Sequence, residues 1–388
     1  MKRKARIIAF YLPQYHPNKL NDEWWGKGFT EWTNVAKAKP LFKGHYQPKI
    51  PADLGFYDLR VPEVRQEQAD MARDAGIEGF CYWHYWFGKG QTLLDRPFNE
   101  VLTSGNPDFP FCLGWANHDW TNALWQKNKM FEREKMILKQ TYVKSEYIDH
   151  FYEILPAFKD RRYIKVDGKP IFVVFSPMSI PDPVYFIATW QRLAKENGLN
   201  GIHFVGIMSN LLSVKQEFGK ENKHYVPDEN ESAEPRFKQL IDAGFDAVNS
   251  RGIYRAELKL KGHIHTYLWG GLQKAFNINM LNVFDYKRII KHLFVPEDRW
   301  ENVYPTILPN WDRSPRSGKK ASIYKDSTPE NFRKHLKDAI DLVKEKQEEH
   351  KILFLMSWNE WGEGNYVEPD LKYGHGYLDV IKEEIVIK

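Results

Sequence analysis

Glu360 and Glu363 follow the apolar run 352–356 and stand three residues apart. One helical turn or one tight loop at that spacing puts both carboxyl groups on the same side. Glycosidic-bond chemistry needs such a pair: a carboxylic acid to protonate the departing oxygen, and a second carboxylate for the other face of the sugar. Carboxyls about 5 Å apart give retention, and wider spacing gives inversion. Two acids that close also push their proton affinities apart, so one stays protonated near neutrality. A bare E-x-x-E fits a solvated loop or a helix start equally well. Here Trp358, Trp361, Gly362 and Gly364 flank it, which favours a sugar site. Asn359 is placed to orient Glu360 or bind a hydroxyl, and is equally a turn residue. Glu368 is placed to contact a sugar, and is equally an ordinary loop acid.

Four other apolar runs end in the same polar and aromatic way. They lead into Tyr11-Leu12-Pro13-Gln14-Tyr15-His16, Tyr82-Trp83-His84-Tyr85-Trp86, Trp115-Ala116-Asn117-His118-Asp119-Trp120 and Pro309-Asn310-Trp311-Asp312. Flat apolar rings with a polar edge match sugars, whose C–H faces are apolar and whose rims are hydroxyls. The chain holds 14 Trp, 20 Tyr and 24 Phe, 15% aromatic in all, in keeping with that reading. His16, His84 and His118 lack the H-x-x-x-H or Cys/His spacing of a metal site, so sugar hydrogen bonding or stacking is the better expectation. No cofactor is expected. Without a G-x-S-x-G there is no case for a serine triad. Arg313, Arg316, Lys319 and Lys320 form the one local basic cluster; such runs are usually solvated, but here they are candidate phosphate or anion contacts.

The elements that must position these residues are eight apolar runs: 7–12, 79–86, 109–115, 170–175, 202–208, 247–250, 303–308 and 352–356. Most lead into an amphipathic pattern, with helices expected over 62–75, 97–103, 145–158, 183–196, 234–243, 329–349 and 376–384. Continuous apolar strands alternating with such helices imply a parallel sheet covered on both faces. Eight units without a Pro-, Gly- or Ser-rich linker predict an α/β fold, a single (β/α)8 TIM barrel over residues 1–388, with long insertions after strands 1, 3 and 6. A doubly wound sheet is disfavoured, since neither G-x-G-x-x-G nor a P-loop follows any strand.

Composition narrows the class further. At 42% hydrophobic and 28% charged the chain is of ordinary globular composition, and a net charge of +5 makes no case for nucleic-acid binding. No apolar stretch reaches membrane-spanning length, and Lys2-Arg3-Lys4 is not followed by a cleavable apolar segment, so a cytoplasmic location is expected. Cys81 and Cys112 lie in apolar runs and are expected as buried thiols. The oligomeric state is not readable.

Beyond these readings, several segments resemble the WbsX-type family. They are Phe10-Tyr11-Leu12-Pro13-Gln14-Tyr15-His16-Pro17, Glu23-Trp24-Trp25-Gly26-Lys27-Gly28-Phe29-Thr30-Glu31-Trp32-Thr33-Asn34-Val35, Gly79-Phe80-Cys81-Tyr82-Trp83-His84-Tyr85-Trp86-Phe87 and Trp358-Asn359-Glu360-Trp361-Gly362-Glu363-Gly364. That family is usually found with surface-polysaccharide synthesis, and its fold is similar to the family 99 endo-α-mannosidases, metal-free (β/α)8 barrels. The resemblance implies that Trp25 and Trp32 join the sugar contacts. It also implies Glu360 as the base assisting the sugar's own 2-hydroxyl and Glu363 as the acid/base on the leaving group, giving retention through an anhydro-sugar. One departure stands out: the family commonly reads W-A-N-E-N-W-T after strand three, and this chain has Trp115-Ala116-Asn117-His118-Asp119-Trp120-Thr121.

Three functions follow for test. The first is a retaining glycosidase or transglycosylase acting on an oligosaccharide or polysaccharide through Glu360 and Glu363. The second is a sugar-nucleotide glycosyltransferase of surface-polysaccharide synthesis, although no D-x-D occurs. The third is a glycan-binding protein without turnover, for which His118 is the only support.

Overall fold

The computed structural model describes residues 2–121, 135–211, 232–262 and 281–387, with the backbone of 216–217 and 220–221. Parts of the insertions expected after the third and sixth strands (122–134 and 263–280) lie outside the described residues.

Eight strands carry the fold: β1 (Arg6–Tyr11), β2 (Gly79–Trp86), β3 (Phe111–Trp115), β4 (Lys169–Val174), β5 (His203–Met208), β6 (Ala247–Ser250), β7 (Val303–Ile307) and β8 (Ile352–Leu355). Each pairs in parallel with the next, and β8 returns to pair with β1 from Arg6↔Ile352 to Ala9↔Leu355, which closes the barrel. The apolar runs are continuous because one side of each strand fills the barrel and the other meets helices. Every residue of β3, β5, β6, β7 and β8 is buried. Cys81 and Cys112 face each other in register on β2 and β3, free and buried.

Among the described residues the α-helices are α1 (Lys19–Trp25), α2 (Glu31–Ala36), α3 (Pro62–Asp74), α4 (Arg96–Ser104), α5 (Glu146–Phe158), α6 (Pro183–Glu196), α7 (Glu234–Asp242), α8 (Ile253–Lys261), α9 (Tyr286–Ile289), α10 (Ser314–Ser317), α11 (Pro329–Val343) and α12 (Gly376–Ile385). The starts of α6 and α11 are written locally. Asp182 accepts from Tyr185 N and Thr328 from Asn331 N, each with a proline in the first turn. The expected helix 329–349 instead ends at Val343. Beyond Val343 the segment supplies no further apolar face, and the buried Lys346 turns inward so that its ammonium donates to the Val303 carbonyl. Among the described residues no helix is long and apolar enough to cross a membrane.

Two short elements in the insertion after β1 matter for the site. Helices α1 and α2 are too short for a period to show in the sequence, yet α2 brings the fully buried Glu31 over the strand ends. The β1–β8 seam also continues past the strands. Asn359 Oδ1 accepts from Leu12 N at 2.8 Å and Asn359 Nδ2 donates to Leu12 O at 3.1 Å, so a side chain imitates one more ladder step. That fixes the backbone immediately before Glu360.

Candidate active site

At the C-terminal end of the barrel a cavity of about 590 Å³ opens between the loops. Glu360 enters it just beyond β8, and a single 3₁₀ turn, Trp361–Glu363, brings Glu363 to the same wall. Gly364 then reverses the chain at φ +56°, where a Cβ would lie 2.7 Å from Lys49 Nζ and from Asp312 Cβ, so glycine is required.

Both carboxylates meet one guanidinium. Arg316, on α10 after β7, bonds Glu360 Oε1 through Nη2, lies 3.0 Å from Glu363 Oε1 through Nη1, and reaches Glu31 Oε2 at 3.1 Å through Nε. Arg313 Nε adds a second cation 3.1 Å from Glu363 Oε1. The charges divide the pair. Burial pushes Glu360 up to about 7, with Glu363 and Glu31 adding to the rise and Arg316 opposing it. Burial acts upward on Glu363 too, but Arg313 and Arg316 outweigh it and hold that carboxyl below its ordinary range. Of the two, Glu360 is therefore the carboxyl that holds a proton more readily and Glu363 the one that stays ionised more readily.

The backbone at Gly362 closes this cluster. A Cβ there would stand 1.9 Å from Glu31 Oε2 and 2.9 Å from Arg316 Nε. Gly362→Ala is expected to cost about 1–3 kcal/mol through overpacking and to lower activity by displacing Arg316; chemical denaturation beside an activity assay checks both.

The expected residues divide by position. Trp83, Tyr85, His118, Trp120, Trp311, Arg313, Arg316 and Lys320 line the cavity with the two glutamates. His118 stands at the wall with Nδ1 3.2 Å from Ala116 O, and burial lowers its pKa, so its ring is neutral there. Lys319 is exposed on the turn Gly318–Lys320, away from the lining.

The others form a supporting layer. Glu368 is buried beneath the loop and accepts from Trp358 Nε1 at 2.8 Å, Trp361 Nε1 at 2.6 Å, Gln68 Nε2 at 2.6 Å and Tyr57 OH at 2.9 Å. Burial nevertheless raises it to about 7. It pins both tryptophans that flank Glu360. Glu368→Gln turns an acceptor into a donor among four donors, and is expected to cost about 1–3 kcal/mol in an unfolding titration. Trp361 stacks on Tyr366 with centroids 3.7 Å apart. Tyr15 OH bonds the Asn359 carbonyl and accepts from Trp361 N at 3.1 Å, Tyr11 OH donates to Gln68 at 2.6 Å, and Trp32 Nε1 donates to Tyr57 O at 2.7 Å.

Asp312 accepts from Gln47 at 2.6 Å and Ser314 N at 3.0 Å and pairs with His45 at 2.8 Å; His45, the Lys49 charge and Ser314 hold it near 2 despite burial. His84 faces His150 at 3.0 Å inside the core, and burial lowers His84 to about 4. Trp86 stacks on His150 with centroids 4.8 Å apart, and Trp115 Nε1 donates to the Trp86 carbonyl at 2.9 Å. Asn117 ties the loop after β3 to Ser176, Asp119 accepts from Gln140 N at 2.7 Å, and Trp25 packs near Phe29. His16 is buried and its pKa lowered by burial. Among the described residues no group of three or more His, Cys, Asp or Glu could hold a metal ion.

Sequence reasoning missed Glu31, Arg251, Glu257 and Asn365. Arg251 and Glu257 follow β6, the shortest and least apolar run, while Glu31 reaches the site from a helix with no readable period. The strand-end rule applied strictly to β6 finds Arg251.

A family model described as "Glycosyltransferase WbsX" matches residues 7–381. The uncharacterized protein WxcX of Xanthomonas campestris pv. campestris (strain B100) is 32% identical over 383 residues, 98% of this chain and 50% of WxcX, and WxcX of a second strain matches equally. The chain thus spans about half the length of the curated relatives it matches. Among solved structures, the GH99 endo-alpha-mannosidase from Bacteroides thetaiotaomicron with bis-tris-propane gives a TM-score of 0.58 at 13% identity, covering 99% of this chain and 97% of that one. A "glycoside hydrolase-like protein" gives 0.60 at 14% identity, covering 100% and 95%. At those identities the likeness is one of fold.

Proposed function

We propose, on the premise that this chain belongs to the WbsX glycosyltransferase family, that it breaks and re-forms glycosidic bonds at the Glu360–Glu363 pair. Family and fold together point to a carbohydrate-active enzyme. The observation that carries the finer reading is the pair of buried carboxyls sharing the Arg316 guanidinium, with proton affinity raised at Glu360 and lowered at Glu363, in a cavity walled by Trp83, Tyr85, Trp120 and Trp311. We take residues 1–388 as one catalytic unit.

The chemistry then runs in two halves. Glu360 gives its proton to the glycosidic oxygen as the C1–O bond breaks. The Glu363 carboxylate takes the proton of the sugar's 2-hydroxyl as that oxygen bonds C1, giving an anhydro-sugar with retention to follow. Water or an acceptor hydroxyl next attacks C1 and returns its proton to Glu360, while O2 recovers its own from Glu363. This order exchanges the roles that the family resemblance implies, because Glu363 meets two guanidiniums and Glu360 one, which favours the ionised form at Glu363. Leaving-group dependence separates the two orders. Glu360→Gln should keep the initial release of nitrophenolate from a nitrophenyl glycoside, whose departure needs no proton, with the second half slowed for want of its base, and lose cleavage of a natural linkage, while Glu363→Gln loses both. The opposite pattern returns the roles to the order implied by resemblance. Activity should also fall above about pH 7, as the proton leaves Glu360.

A second reading, transfer from a sugar nucleotide, is favoured by Arg313, Arg316 and Lys320 in the same cavity wall. There the guanidiniums bind a diphosphate leaving group by charge-assisted hydrogen bonds.

A further inference from the structure

Arg251 follows β6, only 5% exposed, and lines the cavity. Its guanidinium lies 4.6 Å from the Phe10 ring centroid, 5.8 Å from Trp83 and 5.9 Å from Phe175. A guanidinium has five N–H donors. Nε donates to Asn249 Oδ1 at 3.2 Å, whereas Nη2 is buried and has no hydrogen-bond partner among the described residues. Nor does Arg251 make an ion pair there. The neighbouring cations differ: Arg316 serves Glu31, Glu360 and Glu363, Arg313 serves Glu363, and Lys320 is exposed. The one other carboxylate of the lining, Glu257, accepts from Tyr324 OH at 2.9 Å and Ser322 Oγ at 3.4 Å.

A buried charge with an orphan donor is costly unless something fills it. Packing on three rings explains where the guanidinium lies but leaves its N–H edge unmet. Burial lowers its pKa only to about 10, so it is cationic at neutral pH. A planar fork of this kind matches an oxyanion with two parallel hydrogen bonds.

We infer that Arg251 receives an oxyanion carried by the substrate, so the glycan or donor bound beside Glu360 and Glu363 is acidic. The inference rests on the catalytic reading for the position of the sugar, not for the anion contact itself. Two sources share this chemistry, the carboxylate of an acidic sugar and the phosphate of a phosphorylated donor.

Calorimetric titration of the whole protein with glucuronate, with inorganic phosphate and with glucose tests the inference. Glucuronate or phosphate should bind at least tenfold more tightly than glucose, and Arg251→Gln should erase that preference. Preference for glucuronate identifies an acidic sugar; preference for phosphate identifies a phosphorylated donor. No preference in the wild type overturns the inference, as does an unchanged preference in folded Arg251→Gln. If that variant fails to fold, Arg251→Lys decides: it keeps the charge without the fork, and the preference should fall severalfold; an unchanged preference counts against the fork. The same titration on Glu363→Gln keeps the claims apart. Anion preference retained in a variant that still turns over supports Arg251 and removes the catalytic pair.

Discussion

Glu363→Gln is expected to lower turnover on a natural linkage by about 10²–10⁴-fold, the range for loss of one positioned proton-transfer group. The amide cannot take the 2-hydroxyl proton, so the first bond-breaking step loses its base. Substrate affinity should change far less, because the aromatic wall and Arg251 are untouched. The fold should survive, since Arg316 keeps Glu31 and Glu360 as partners. A loss confined to kcat, measured beside an unchanged circular dichroism spectrum, is the expected pattern. Equal losses in kcat and in thermal stability would assign Glu363 to the framework instead.

Arg316→Met is expected to destabilise the protein by about 3–5 kcal/mol, the cost of removing one partner from a buried ion pair. Three carboxylates converge on that guanidinium, and Glu31 is fully buried. Methionine fills much of the volume but leaves those charges with Arg313 alone. The pH dependence has a definite sign. Glu360 is already raised to about 7 with Arg316 lowering it, so its loss raises the carboxyl further. A carboxyl with a raised folded pKa binds more protons in the native than in the unfolded state, and stability then falls as pH rises. The deficit of Arg316→Met should therefore be largest above pH 7 and shrink toward pH 5, where Glu360 is protonated in the native state of both proteins. Urea titrations of both proteins at pH 5, 6, 7 and 8 give the curve; a pH-independent deficit would mean that Arg316 acts through packing.

Much of this architecture is legible in the chain because barrel strands are buried on both sides. Their residues read as unbroken apolar runs, and β2 was expected within its observed bounds, Gly79–Trp86. The end of α11 was less legible, since the polar residues after Val343 give no mark for the helix stop, which depends on the tertiary contact of Lys346. The candidate site was half visible. Residue type and strand-end position identify Glu360, Glu363, Trp83 and Trp311, but they do not say which strand-end side chains turn into the cavity. His84, Trp86 and Trp115 lie in the same motifs and turn into the core, where His150 on α5 receives them. The pairing of Arg316 with three glutamates joins positions as distant as Glu31 and Glu363, a contact no local pattern encodes.

The measurement closest to the central claim is a mass-spectrometric product screen of the wild type and Glu363→Gln. Each is offered α-mannosyl and other oligosaccharides alone, then acceptor glycans with sugar nucleotides. The account predicts shortened or rearranged glycans from the wild type without any nucleotide, and none from the variant. Product that forms only with a sugar nucleotide, or that the variant makes as fast as the wild type, would contradict it.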